Sequence, residues 1–135
     1  MTTINEVCDA LAEAVTNGCG LRAIGYIDTQ VNPPQAQVFT RDFDPRLTLG
    51  GSPEKVLACG VRVFVRSTRP SAAQEELRGY MEQSGSTSVR AAIETSGNWT
   101  VDVDDAEVTN IGQPFEVETA NETYWAVDFD VDVIF

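Results

Sequence analysis

The sequence predicts an α+β fold in a single domain spanning residues 1–135, a mostly antiparallel sheet or sandwich with an N-terminal helix and a central helix pair. Three observations predict it. The last twelve residues, YWAVDFDVDVIF from Tyr124 to Phe135, alternate apolar and acidic positions with the period of a half-buried strand. Helical periodicity is confined to the N-terminus and to about residues 70–94, and from Asn98 onward short alternating runs are separated by turn residues. At 135 residues such a chain hides about two-thirds of its extended surface on folding.

Taken in order, Thr3 and Glu6 have capping-box spacing, and Ile4, Val7, Cys8, Leu11 and Val15 follow at helical intervals until Gly18 and Gly20. Leu21–Ile27 and Gln35–Arg41 are expected as two strands of a hairpin joined across Asn32, Pro33 and Pro34. The polar stretch RDFDPRLTLGGSPE between Thr40 and Lys55 reads as a mobile loop. Loops of this length carry function or are tolerated surface excursions. Val56–Arg66 is the next strand, with Leu57, Cys59, Val61, Val63 and Val65 on one face and Arg62, Phe64 and Arg66 on the other. Pro70 and Ser71 open a second helix with Ser71 and Gln74 at capping-box spacing, a stripe of Ala73, Leu77, Tyr80 and Met81, and Gly85 as its end. A short third helix over Ser88–Glu94 buries Val89, Ala92 and Ile93. Trp99–Val103, Ala106–Ile111, Phe115–Thr119 and the terminal run then read as successive strands.

Composition excludes several chemistries. There is no histidine, and Cys8, Cys19 and Cys59 lack CxxC spacing, which argues against zinc, haem and histidine-assisted nucleophiles. Cys8 and Cys59 fall in apolar phase, and Cys19 between two glycines is the accessible thiol. No phosphate-loop, dinucleotide, nucleophile-elbow or zincin motif is present, so the expectation is a protein that is not an enzyme and uses no cofactor. No apolar run approaches the roughly 20 residues of a membrane span, and the N-terminus carries acids where a signal peptide carries bases. The expected protein is soluble, intracellular when made, and begins at its own methionine.

The net charge of -12 is unevenly spread. Residues 41–90 hold eight of the nine basic residues, whereas residues 91–135 hold eleven acids and no base. Such a chain repels free nucleic acid. Three aspartates in line, Asp128, Asp130 and Asp132, do not chelate one ion by themselves. Asp128 and Asp132 are about 13 Å apart along an extended strand, whereas Ca²⁺ ligands span about 5 Å at most. A metal site would need help from Asp102, Asp104 or Asp105 on a neighbouring strand.

The order of parts, with VRVFVRSTRPSAAQEELRGYMEQ running from strand into helix, GSTSVRAAIE as a small helix and YWAVDFDVDVIF as terminal strand, resembles tail terminator proteins. These are the tail-completion subunits of long-tailed bacteriophages with flexible, non-contractile tails. The resemblance covers nearly the whole chain and is most specific over residues 61–94 and 123–134. It implies an α+β fold related to the tail-tube subunit and a homo-hexameric ring that caps the tube and ends its polymerisation. The ring would contact tail-tube subunits and head-tail connector proteins at the tail-head junction of the virion, without chemistry and with no membrane. Under this implication Asp128, Asp130 and Asp132, with Asp102 and Asp104, either line a channel through which DNA passes without specific binding or meet a neighbouring subunit. Arg62, Phe64 and Arg66 are the candidate subunit interface. The docking-loop candidate over 42–54 includes Asp44, Pro45, Arg46, Leu47, Gly50 and Gly51. A tail-tube or head-closure subunit is the sister alternative, and an intracellular divalent-ion or small-molecule binding domain is the alternative of a different class.

Overall fold

The computed structural model describes residues 3–28, 31, 33–44, 56–66, 69–101, 103–118 and 122–135, with the side chains of 42–44 left aside. Among the described residues one mixed sheet of six strands carries three helices on one face. In chain order the elements are α1 (Ile4–Cys19), β1 (Arg22–Ile24), β2 (Gln35–Asp44), β3 (Val56–Val65), α2 (Pro70–Tyr80), α3 (Val89–Glu94), a 3₁₀ turn (Ser96–Asn98), β4 (Asp105–Ile111), β5 (Phe115–Glu118) and β6 (Thr123–Ile134). The strand order is β1-β2-β3-β6-β4, and β5 also pairs with β6. The terminal strand is therefore central, antiparallel to β3 from Val56↔Ile134 through Val65↔Trp125.

Alternation decides what each strand buries. Leu57, Cys59, Val61, Val63 and Val65 of β3, with Val127, Phe129, Val131 and Val133 of β6, form one continuous apolar face. Helix α1 is closed at its N-terminus by the reciprocal Thr3–Glu6 capping box and at its C-terminus by Gly20, whose φ of 73° suits a residue without Cβ. Val7, Leu11 and Val15 of α1, Ala73 and Leu77 of α2, and Val89 and Ile93 of α3 join the same core. Ser88 starts α3 by accepting the Ala91 N–H while donating to the Glu82 carbonyl, so its hydroxyl is fully buried yet satisfied. Among the described residues no helix is long and apolar enough to cross a membrane.

Four expectations are corrected. Strands β1 and β2 pair in parallel, Arg22↔Gln35 to Ile24↔Gln37, and do not form a hairpin. The connection leaves the ladder after Ile24 and returns through the cis Pro33–Pro34 bond, and β1 is three residues long. Strand β2 runs on through Arg41 to Asp44 opposite Val56, so the first part of the expected loop is strand, with a bulge between Thr40 and Asp42. Helix α2 has Arg69 as its N-cap and Pro70 in its first turn, without a side-chain cap, and ends at Tyr80 before Gly85. Finally, the described residues of the expected Trp99–Val103 strand, 99–101 and 103, are not in a strand, and β4 begins at Asp105. The Trp99 indole N–H donates to the Ile93 carbonyl at 2.8 Å and ties this segment to the end of α3.

Candidate functional site

Among the described residues the three helices pack on one face of the sheet, and the charged residues singled out on β3 and β6 lie on the other. Val31, Phe115 and Val117 cover that face at the Phe64–Tyr124 end, and it is half-exposed at Asp128, Asp130 and Asp132. Cross-strand partners share a face. The register therefore lines up Arg62 with Asp128 and Gln37, and Asp132 with Ala58 and Glu107.

Arg62 organises the middle of this face. Its Nε and one terminal nitrogen donate to the two carboxylate oxygens of Asp128 at 2.7 and 3.0 Å, the two-pronged geometry that a planar guanidinium permits. The guanidinium carbon lies 5.4 Å from the Phe39 ring centre and 5.2 Å from that of Phe115, within cation–π range of both rings. Hydrogen bonding to Asp128 is the main cause that holds the Arg62 pKa above its ordinary value. Gly60 makes room for this arrangement, since a Cβ there would run into the Phe39 ring.

The other sequence-predicted residues fall in different places. Asp130 receives Arg41 at 3.6 Å, and Arg66 pairs with Glu122 at 3.0 Å. Phe64 is buried with Tyr124 and Ala126 in a small second cluster, flanked by Val31, Phe115 and Val117. Its ring is therefore covered by its own chain. Asp132 has no cation partner among the described residues, and Glu107 lies directly opposite it. Asp104 sits beside the end of β6, where its N–H donates to the Ile134 carbonyl at 2.8 Å. Asp102, Pro45, Arg46, Leu47, Gly50 and Gly51 lie outside the described residues, and Asp44 contributes only its backbone position at the end of β2.

Two consequences follow from this geometry. The arginine partners of Asp128 and Asp130 are in the same chain, on strands of the same sheet, so an intermolecular contact is not needed to explain them. The uncompensated charge of the face is displaced to one end, where Asp132, Glu107 and Asp105 cluster at the end of the β4–β6 ladder. Counting Arg41 and Arg62 against Asp105, Glu107, Asp128, Asp130 and Asp132, the described part of the face is three charges negative. Among the described residues no group of three histidine, cysteine or carboxylate side chains is placed to hold a metal ion.

Sequence reasoning missed Arg41, Phe39 and Phe115 as members of this constellation. Their residue types were visible, but only the β2–β3–β6 register and the bulge at Thr40/Asp42 bring them together. No protein-family model matches the chain, and no characterised protein matches it in sequence.

Proposed function

We propose that this protein is a structural assembly subunit of the tail terminator kind, forming a ring that caps a phage tail tube, ends its polymerisation and offers the head-joining surface. The observation that supports it most is the terminal strand. Strand β6 is the centre of the sheet, twelve residues long, with its apolar side under the helices and its carboxylate side on the open face. The segments that carry the resemblance, residues 61–94 and 123–134, run from strand β3 into α2 and α3 and form the terminal strand β6.

An acidic wall suits a channel for DNA, because like charge keeps phosphates from binding as the duplex slides. In this reading the repelling groups are Asp132, Glu107 and Asp105, since Asp128 and Asp130 are neutralised by Arg62 and Arg41. Tail-tube subunits would dock on one side of the ring and head-tail connector proteins on the other, with residues 42–54 as the contact segment, at the tail-head junction of the virion.

Electron microscopy of the purified protein mixed with uncapped tails tests this. Rings at one end of each tail are expected; tubes lengthened by added protein would favour the tail-tube alternative, and bare tail ends would reject both. For the channel assignment the informative variant is Asp132→Asn with Glu107→Gln, which leaves the Arg62–Asp128 pair intact. Normal rings with impaired DNA passage are expected from it, and normal DNA passage would reject the channel lining.

A further inference from the structure

The sheet has two edges, and they are finished differently. At the β4 edge the Val108 N–H donates to the Glu94 carboxylate at 3.1 Å and α3 packs alongside. At the other edge β1 covers β2 only along Gln35–Gln37. From Val38 onward β2 is paired to β3 alone among the described residues. An uncovered strand edge offers a row of free backbone donors and acceptors, and proteins ordinarily protect such edges with charge or a bulge.

Here the bulge at Thr40/Asp42 and the charge of Arg41 interrupt the edge at its far end, but along Val38–Thr40 it is flanked by apolar side chains. A groove of about 560 Å³ has Val38, Phe39 and Thr40 as its floor, the first two turns of α1 as one wall and residues 25–27 as the other. Ile4, Tyr26 and Ile27 are the exposed large hydrophobics of the described chain, at 37%, 61% and 55% exposure, and all three line this one groove. Asp9 lies on the α1 wall, exposed, with no cation partner among the described residues. The nearest base on β2, Arg41, is engaged by Asp130 on the open face.

We propose that this groove binds an extended segment of a partner protein, added as a strand to the free edge of β2. The segment carries apolar side chains at alternate positions for Ile4, Tyr26 and Ile27, and a lysine or arginine for Asp9. Strand addition supplies main-chain hydrogen bonds, and pockets for alternate side chains supply specificity. Charge argues for another protein over a second copy. A second copy would offer either its β4 edge, where Glu94 and α3 already engage the strand and Asp105 and Glu107 are exposed with no base, or its own β2 edge, whose Arg41 is engaged by Asp130; neither supplies a free cation to Asp9. The inference concerns the single subunit and does not depend on ring formation.

The test uses the isotopically labelled full chain with two capped peptides, one alternating valine with lysine and the other valine with glutamate. Amide hydrogen exchange and NMR shifts are the readouts. The lysine peptide is expected to slow exchange along residues 38–41 and to shift Tyr26 and Ile27. Asp9→Asn is expected to weaken it about threefold to fivefold, and Ile27→Ser to weaken it further, with the spectrum of the free protein otherwise unchanged. Absence of protection along 38–41, equal binding of the glutamate peptide, or binding elsewhere would overturn the proposal. Protection of 38–41 that grows with protein concentration alone, together with a doubled mass in sedimentation, would assign the groove to a second copy instead.

Discussion

Arg62 is the residue on which the open face depends. Its partners come from three other strands, Phe39 from β2, Asp128 from β6 and Phe115 from β5. With side-chain exposures of 34% and 29%, the Arg62–Asp128 pair is screened on one side by solvent, so its worth lies well below that of a buried pair. A double-mutant cycle of Arg62→Met and Asp128→Asn, read by urea denaturation, is expected to give a coupling of about 1 kcal/mol. Arg62→Lys should retain less than half of it, because an ammonium cannot bond both carboxylate oxygens and the two rings at once. The cysteines make a second prediction at this scale. A hydrogen bond between the Cys8 and Cys59 thiols lowers the Cys8 pKa and, with burial, pushes Cys59 far up. Burial raises Cys19 and is the main cause that raises Tyr80. A thiol or phenol whose folded pKa is raised binds its proton more tightly in the folded state. Its contribution is complete below the unfolded pKa, about 8.5 for cysteine, and is lost as pH rises toward the folded value. The urea midpoint is therefore expected to fall steadily above about pH 8.5, and Cys19→Ser should make that fall shallower.

At the scale of elements, the informative contact is between α1 and α3. Gly18 is inside α1, where alanine would ordinarily stabilise a helix by about 1 kcal/mol. A Cβ at this position runs into the Cβ and backbone of Ala92 and the Asn98 amide, so the two helices meet backbone to backbone. Asn98 reinforces the junction by donating to the Ala92 carbonyl at 2.9 Å, and Asn17 donates to the Asn98 carbonyl at 3.1 Å. Gly18→Ala is expected to destabilise by about 1–3 kcal/mol in chemical denaturation, the reverse of the propensity effect. Unchanged or raised stability would show that α3 moves freely away from α1. The same packing explains Trp99. Its alternation with Val101 and Val103 suits a strand, but the anchor to Ile93 on α3 draws the segment off the sheet until Asp105.

Charge governs the behaviour of the whole molecule. The chain carries -12, and most acids of residues 91–135 lie on β4, β5 and β6, which adjoin in one sheet. Mutual repulsion of Asp132, Glu107 and Asp105 opposes folding and association alike, and salt shortens its range from about 30 Å at 0.01 M to about 8 Å at physiological strength. The thermal midpoint is expected to rise by about 3–6 °C over that range, the equivalent of about 1 kcal/mol. Asp132→Asn with Glu107→Gln should reduce the dependence. A midpoint insensitive to salt would mean that the acidic end is compensated by groups beyond the described residues.

Much of this architecture is legible residue by residue. The Thr3–Glu6 capping box, the stripe of α1, the apolar face of β3, the burial of Val89, Ala92 and Ile93, and the long alternating β6 are local patterns, and local periodicity suffices to predict them. What lies between distant segments is not written in any local pattern. The parallel pairing of β1, the extension of β2 to Asp44, the opposition of Arg62 to Asp128 and the cover over Phe64 all depend on strand order and register. The sequence by itself determined the α+β class, the excess of acid at the C-terminal end and most of the elements, though neither the bounds of β1 and β2 nor the absence of a strand at Trp99. The tertiary structure alone decided which carboxylates are neutralised within the chain and which edge is left open. The physical reason is that cross-strand contacts join residues far apart in sequence, 66 positions for Arg62 and Asp128, and a shift of one residue in register would turn every one of those side chains to the other face.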